Sequence, residues 1–291
     1  MKPAPFAYDR AESVEETLAL LAEHGDDAKV LAGGQSLVPL LNFRLARPER
    51  LIDINEVDEL DRLEVNGAVR IGALTRQSTL EHSDEIAAKV PLLQEAMRFV
   101  AHPQIRNRGT VGGSVAHADP SAELPAVLSA LDAVYHLRSR AGTRTVSSDE
   151  MFVTHLTTAL RPDELLTEIE VPVPAPGTGS AFLEFARRHG DFALAGAVVL
   201  VAQRGDGTCE RASIALLAAG PVPVRAVEAE EALAGQRVDD GVAREAAATA
   251  VRDVRPLGDI HGGAAYRRKA LEALVRRALL LANDRAQGGR S

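Results

Sequence analysis

Hydrophobic positions along this chain keep a helical rhythm in some stretches and a strand rhythm in others, and the changes between the two outline the fold. Val14, Leu18 and Leu21 recur on one helical face; Ser13 stands before them as N-cap with Glu16 three residues on, a capping box, and Gly25 ends the run. The apolar run AKVLA (28–32) then reads as a strand that leads through Gly33-Gly34 into LVPLLN, which opens as a helical turn, and RLIDIN reads as a second strand ending at Asn55. In LEVNGAVRIGAL, Asn66-Gly67 separates two alternating runs, the strongest short-range signature of a hairpin. Helical spacing predicts one helix over 79–88 (TLEHSDEIAA), another over 92–101 (LLQEAMRFVA) and, after a second glycine turn at Gly112-Gly113, a third in SAELPAVLSALDA. AVYHLRS and ELLTEIEVPVP are strand-like, and APGTG (175–179) has the composition of a linker.

Past that linker the texture changes. AVVLVAQRGDGTCERASIALLAAGP reads as two strands around a Gly-Asp-Gly turn, an antiparallel meander, and helices follow. The last, AAYRRKALEALVRRALLLAND, sets Leu271, Leu274, Val275, Ala278 and Leu281 on one apolar stripe with arginines on the other faces. We therefore divide the chain at 177 into a first domain, 1–177, and a second, 178–291.

Composition narrows the class. The 291 residues suit two domains, and with 46% apolar and 25% charged residues the chain can bury an ordinary core. A net charge of −8 argues against a nucleic-acid surface, which needs clustered cations. A single cysteine, Cys209, leaves no internal disulfide and no thiolate-bound iron–sulfur cluster made by this chain alone. The beginning, MKPAPFAYDR, has no apolar core behind its lysine, and no run approaches the ~18 apolar residues of a membrane span, so the expected location is the cytoplasm.

The two glycine pairs carry the candidate chemistry. Glycine reaches positive φ without penalty and keeps no side chain between backbone and ligand, so glycines after a strand can turn several N–H groups toward one anion, with phosphate the natural guest. Gln35, Ser36, Thr110 and Ser114 add neutral donors suited to a pyrophosphate. Both pairs are expected on loops and to act as equal halves of one clamp; the plainer alternative is that each only turns a corner. Neither stretch is G-x-x-x-x-G-K-[ST] or G-x-G-x-x-G, so P-loop and Rossmann readings fail.

AGGQSLVPLLNFRLARPERLIDIN and TVGGSVAHADPSAELPAVL resemble the medium, flavin-carrying subunits of the xanthine dehydrogenase and aerobic carbon monoxide dehydrogenase family of molybdenum hydroxylases, and the likeness extends through FARRHGDFALAG to the last helix. It implies an α+β fold: an FAD-binding domain of the vanillyl-alcohol oxidase type with two α/β lobes, roughly 1–55 and 56–177, then a smaller domain with a three-stranded antiparallel sheet and helices. It implies further that Ala32, Gly33, Gly34, Gln35 and Ser36 cradle the FAD pyrophosphate from one lobe while Thr110, Val111, Gly112, Gly113 and Ser114 close on it from the other. Asp119 and Glu123 are then the candidates for the ribityl or ribose hydroxyls, and Leu165 or Leu166 lies near the cofactor. Relatives often carry a lysine just before RR-x-x-D, where this chain has Leu183 and Glu184; Arg187 or Arg188 is a candidate to replace its charge, and Phe192 to lie near the flavin ring or in the core. Bicovalent relatives need a histidine in the first motif and a cysteine elsewhere; Gln35 in that place and the lone Cys209 imply noncovalent FAD.

Other residues are weaker candidates. His117, in AHADP, reads as cofactor-loop scaffold rather than as a catalyst, and no catalytic residue is assigned. His102, His189 and His261 lack the spacing of a metal site, and no metal is expected. Arg106 and Arg108 flank the second motif as possible partners of phosphate charge, whereas Arg267, Arg268, Arg276 and Arg277 read as a solvated helix face. The resemblance implies a large molybdopterin-binding partner and a small [2Fe-2S] partner in a dimer of heterotrimers, with this chain passing electrons to an external acceptor. The rivals are a self-sufficient FAD oxidase or reductase and a nucleotide-binding regulatory subunit without a redox role.

Overall fold

A computed structural model describes residues 1–288. Strand β1 (Ala7–Arg10) leads to helix α1 (Val14–His24), capped as expected: the Ser13 hydroxyl accepts from the Glu16 N–H, and the Glu16 carboxylate accepts from the Glu12 N–H. After β2 (Ala28–Leu31) come the short helix α2 (Leu37–Asn42) and β3 (Arg50–Asp53). The three strands form a parallel sheet in the order β1-β3-β2, closed by the apolar face of α1. This small sheet is the first lobe.

The hairpin of β4 (Leu63–Asn66) and β5 (Ala68–Gly72) turns at Asn66-Gly67, with Gly67 at a φ of 75°. The stretch 79–88, expected as one helix, is two: α3 (Gln77–His82) ends where Ser83 turns out to cap α4 (Asp84–Lys89), its hydroxyl accepting from the Ile86 N–H. A serine that offers the backbone a rival partner inside an apolar period breaks the helix there. Helices α5 (Pro91–Met97) and α6 (Pro103–Arg106) both start on a proline at a position that needs no donor.

The second glycine pair, expected as a loop, lies inside helix α7 (Val111–His117), and α8 (Glu123–Ala130) follows. Strands β6 (Val134–Ser139) and β7 (Gly142–Ser147), helix α9 (Ser148–Met151), the small hairpin β8 (Phe152–Thr154) and β9 (Thr157–Thr158), and β10 (Leu165–Pro172) complete the second lobe. Its antiparallel sheet runs β4-β5-β10-β6-β7, so β10 is inserted between strands from two distant hairpins. Nothing in local periodicity selects that pairing.

The expected meander is β12 (Ala195–Gln203) and β13 (Cys209–Leu217). A third long strand, β11 (Thr178–Phe185), begins inside the stretch read as linker, and a two-residue edge strand, β14 (Val224–Arg225), makes the sheet β11-β12-β13-β14. Helices α10 (Val227–Leu233), α11 (Asp240–Ala250) and α12 (Ala264–Gly288) pack on one side of it around Leu271, Val275, Ala278 and Leu279. Its other side joins the second lobe: Phe182, Val198, Leu200, Ala215 and Leu217 share a core with α5, α7 and α8. Two of the arginines read as solvated are tied down, Arg267 buried against Asp259 at 2.7 Å and Arg276 paired with Asp240, whereas Arg268 and Arg277 are exposed. No helix among the described residues is long and apolar enough to cross a membrane.

Candidate functional site

The first motif leaves the carboxyl end of β2, beside that of β3, and turns into α2. Gly34 has a φ of 72°, and the Gln35 side chain folds back to donate to the Gly33 carbonyl at 2.9 Å. Among the described residues, the backbone N–H groups of Gly33, Gly34, Gln35, Ser36 and Leu37 donate no hydrogen bond. Five successive unbonded amides at the end of a strand are a run of free donors of the kind that can hold phosphate.

The second motif is built differently. Thr110 caps α7, its hydroxyl oxygen accepting from the Gly113 N–H at 3.1 Å. The Val111 and Gly112 N–H groups donate to the Thr75 and Ala73 carbonyls, each at 3.0 Å, and Ser114 donates to the Thr110 carbonyl. Neither glycine is left-handed. The expectation of two bare-backbone halves is therefore corrected: these amides are already bonded, and the glycines serve contact. A Cβ on Gly112 would lie 2.6 Å from the Ala73 Cβ, so only glycine lets α7 sit on the end of β5.

The structure does bring the two motifs together across the 73 residues that separate Ser36 from Thr110. A Cβ on Gly33 would overlap the Arg108 carbonyl oxygen and lie 2.9 Å from the Gly109 Cα, and one on Gly113 would lie 3.9 Å from the Ala32 Cβ. Asn55 donates to the Ala32 carbonyl at 2.8 Å; Arg76 spans the seam, donating to the Asn55 side chain at 3.0 Å and to the Arg108 carbonyl at 2.7 Å. Burial first, and the neighbouring Arg108 charge second, hold the Arg76 guanidinium below its ordinary pKa. Two cations beside a row of free amides make this seam ready for an anion. Arg76 escaped the sequence reading because LTRQS carries no pattern. Asn55 had a signal, since ligands gather at the carboxyl ends of adjacent parallel strands.

The remaining candidates disperse. Arg106 is no phosphate partner: it is buried, bidentate to Glu81 at 2.6 and 2.7 Å, and donates to the Val100 carbonyl. Asp119 is half-buried and accepts from the Ser121 N–H at 2.8 Å, while Glu123 is buried as the first residue of α8. Leu165 and Leu166 are both buried in β10 but face opposite cores, Leu165 the first lobe and Leu166 the second. Arg187 is exposed, 3.4 Å from the His261 ring, and Phe192 is 71% exposed, which corrects the core-packing alternative for it. His117 is half-buried, and burial, despite the charge of Asp119, keeps its pKa below the ordinary histidine value. His136, Glu168 and Glu170 offer ligand atoms within 4.8 Å of one another, but Arg62 and Arg70 already hold Glu168, and Arg70 also holds Glu170, so the cluster is an ion-pair network.

A parallel three-stranded lobe and an antiparallel five-stranded lobe, meeting at a glycine-lined anion seam and followed by a sheet-and-helix domain, define a flavin-subunit architecture. Residues 4–174 match the family described as FAD binding domain in molybdopterin dehydrogenase, and residues 180–282 that described as CO dehydrogenase flavoprotein C-terminal domain. The chain belongs to the family of FAD-binding medium subunits of the molybdenum hydroxylases, and is a flavoprotein subunit of an oxidoreductase. It is 46% identical to the 6-hydroxypseudooxynicotine dehydrogenase complex subunit alpha of Paenarthrobacter nicotinovorans over 99% of this chain and 97% of that one. It is 40% identical to the carbon monoxide dehydrogenase medium chain of Afipia carboxidovorans, over 99% of this chain and 100% of the other. A solved carbon monoxide dehydrogenase from Hydrogenophaga pseudoflava superposes with a TM-score of 0.95 at 41% identity, covering 98% of this chain and 99% of that one.

Proposed function

We propose that this chain carries noncovalent FAD and passes electrons from [2Fe-2S] clusters on a small partner, fed by a large molybdopterin-binding partner, to an external acceptor, within a dimer of heterotrimers. The observation that carries the reading is the row of free amides from Gly33 to Leu37 facing Arg76 and Arg108. FAD supplies one- and two-electron chemistry at such a junction, and the protein supplies position and field.

The amides of Gly33 to Leu37 hold the pyrophosphate, with the Ser36, Thr110 and Ser114 hydroxyls as further donors and the two arginines balancing its charge. Gln35 shapes the turn by its bond to Gly33. Ala32, Val111, Gly112 and Gly113 keep the lobes close enough for both to reach one ligand. Asp119 and Glu123 lie on the segment that continues from the second motif and take the cofactor's hydroxyls; Leu165 or Leu166 lines its apolar side, and Arg187 and Phe192 stand on the exposed loop beyond β11. We place the boundary between the FAD-binding domain and the C-terminal domain at 177, before β11. Substrate choice rests with the molybdenum partner.

Purified chain should bind one FAD, release all of it as free FAD on acid precipitation, and turn over no purine, aldehyde or carbon monoxide until both partners are added. Turnover by the chain alone would favour a self-sufficient oxidase, and flavin retained by the precipitate would overturn noncovalent binding.

A further inference from the structure

Free amides serve a ligand best when they are aimed, and in the first motif two side-chain amides do the aiming. A trans peptide unit is planar, with its C=O and N–H pointing in opposite directions, so whatever grips the carbonyl also fixes the line of the N–H that follows. No peptide bond among the described residues is cis. The Gln35 side chain holds the Gly33 carbonyl at 2.9 Å and so turns the Gly34 N–H away from itself. Asn55, just past the end of β3, holds the Ala32 carbonyl at 2.8 Å and does the same for the Gly33 N–H, which opens the row of free donors.

Asn55 is half-buried, and its partners allow its amide one orientation. Nδ2 donates to the Ala32 carbonyl and, at 2.6 Å, to Oδ1 of Asp53, while the Asn55 Oδ1 accepts from Arg76 at 3.0 Å. A carbonyl and a carboxylate only accept, and a guanidinium only donates, so a flipped amide would meet like with like on every side. Asp53 is itself held: its Oδ1 also accepts from the Asn55 backbone N–H at 2.9 Å, and its Oδ2 from the Tyr8 hydroxyl at 2.6 Å. Burial pushes the Asp53 pKa up, but these bonds outweigh it and keep the group below its ordinary value, charged at neutral pH. Both hydrogens of the Asn55 amide are therefore in use, and it has none to offer an anion.

We infer that Asn55 is a positioning residue of the anion seam: it aims the first amide of the row and, through its Oδ1, fixes the Arg76 guanidinium beside it, so that a backbone donor and a cation are set for one diphosphate. This deepens the FAD reading above and rests on it. Three segments meet on the one side chain: Ala32 after β2, Asp53 of β3, and Arg76, which precedes α3 in the second lobe. Without Asn55 the peptide between Ala32 and Gly33 can turn about its flanking bonds, and Arg76 is left with the Arg108 carbonyl. Binding must then remove that freedom, which weakens it.

The full chain, isotopically labelled on nitrogen, is titrated with ADP as a diphosphate probe and with FAD, and proton–nitrogen correlation spectra follow the Gly33 and Gly34 amides; Asn55→Ala and the near-isosteric Asn55→Asp are treated alike, with circular dichroism to check folding. In the wild type both resonances should move on binding. In Asn55→Ala the Gly33 shift should fall by at least about half while Gly34, held by Gln35, keeps its own, and affinity for both ligands should drop about tenfold. Asn55→Asp keeps an oxygen for Arg76 but turns a second one on the Ala32 carbonyl and Asp53, so it should lose at least as much. Binding by Asn55→Asp as tight as the wild type's, or an Asn55→Ala that keeps both the affinity and the Gly33 shift, would overturn the aiming role and leave the FAD reading intact. If Asn55→Ala fails to fold, Asn55→Asp decides. A chain that takes up neither ADP nor FAD would overturn the FAD reading itself, and the role of Asn55 with it.

Discussion

At Gly33-Gly34 the chain leaves β2 with five successive amides unbonded and Gly34 at a φ of 72°, whereas at Gly112-Gly113 the amides of the first helical turn are bonded and neither glycine is left-handed. The same two letters serve different needs. In the first motif glycine frees the backbone for a ligand; in the second it lets a helix lie directly on the end of a strand. Charge is unevenly spread as well: Arg76 and Arg108 stand at the seam between the two motifs, while the second motif alone runs on into Asp119 and Glu123. A clamp with equal halves is thus replaced by a nest on one lobe and a close-packed abutment on the other.

The largest effect should come from the abutment. Gly112→Val drives a branched side chain against the Ala73 backbone, 2.7 Å from its Cα, and should cost about 3 kcal/mol of stability in urea unfolding. An unchanged unfolding midpoint would show that α7 sits loosely on β5. Next, Gly34→Val forces a β-branched residue into left-handed backbone and puts bulk beside the free amides. About 1–2 kcal/mol of strain at that position should lower FAD affinity about tenfold with little change in far-ultraviolet circular dichroism.

Gly113→Ala should be milder. Its Cβ would crowd the Thr110 hydroxyl at 2.6 Å, which can rotate away at the expense of the cap, about 1 kcal/mol, and would make an ordinary contact with the Ala32 Cβ at 3.9 Å. A titration in which Gly113→Ala loses FAD as completely as Gly34→Val would restore the equal-halves clamp.

The acid side of the comparison gives the smallest effect. Glu123 and Glu184 have folded pKa values above the unfolded carboxyl value, so their contribution is fully present below about pH 4.5 and fades as pH rises through about 7 and about 8. Partial exposure of Glu184 screens it, leaving on the order of 1 kcal/mol, or about 2–4 °C in Tm, lost between pH 5 and pH 8. Glu184→Gln should flatten that slope; an equally steep fall in the variant would place its cause elsewhere.

Much of this was legible in the chain. The capping box at Ser13 and Glu16, the Asn66-Gly67 hairpin, the meander around Gly205 to Gly207 and the apolar stripe of the last helix are local patterns, and local patterns are written in contiguous residues. So is the strand–glycine step at 28–36, which marks a backbone-lined site whatever surrounds it. The break at Ser83 was harder to read, because a helical period continued across it and only the serine's own hydrogen bond reveals the cap. Tertiary structure alone decided the rest. The placing of β10 beside β5 depends on residues about a hundred positions apart, and the bridge that Arg76 makes between two motifs on partners 21 and 32 positions away. Whether Gly112 turns a loop or starts a helix was settled by the Ala73 and Thr75 carbonyls waiting for its segment's N–H groups, and whether Arg106 meets solvent or Glu81 by the packing of α3 on α6. Sequence sets what each residue can offer; which partner accepts the offer depends on elements that only the folded chain brings within hydrogen-bonding distance, and burial then fixes the charge each acid or base will keep.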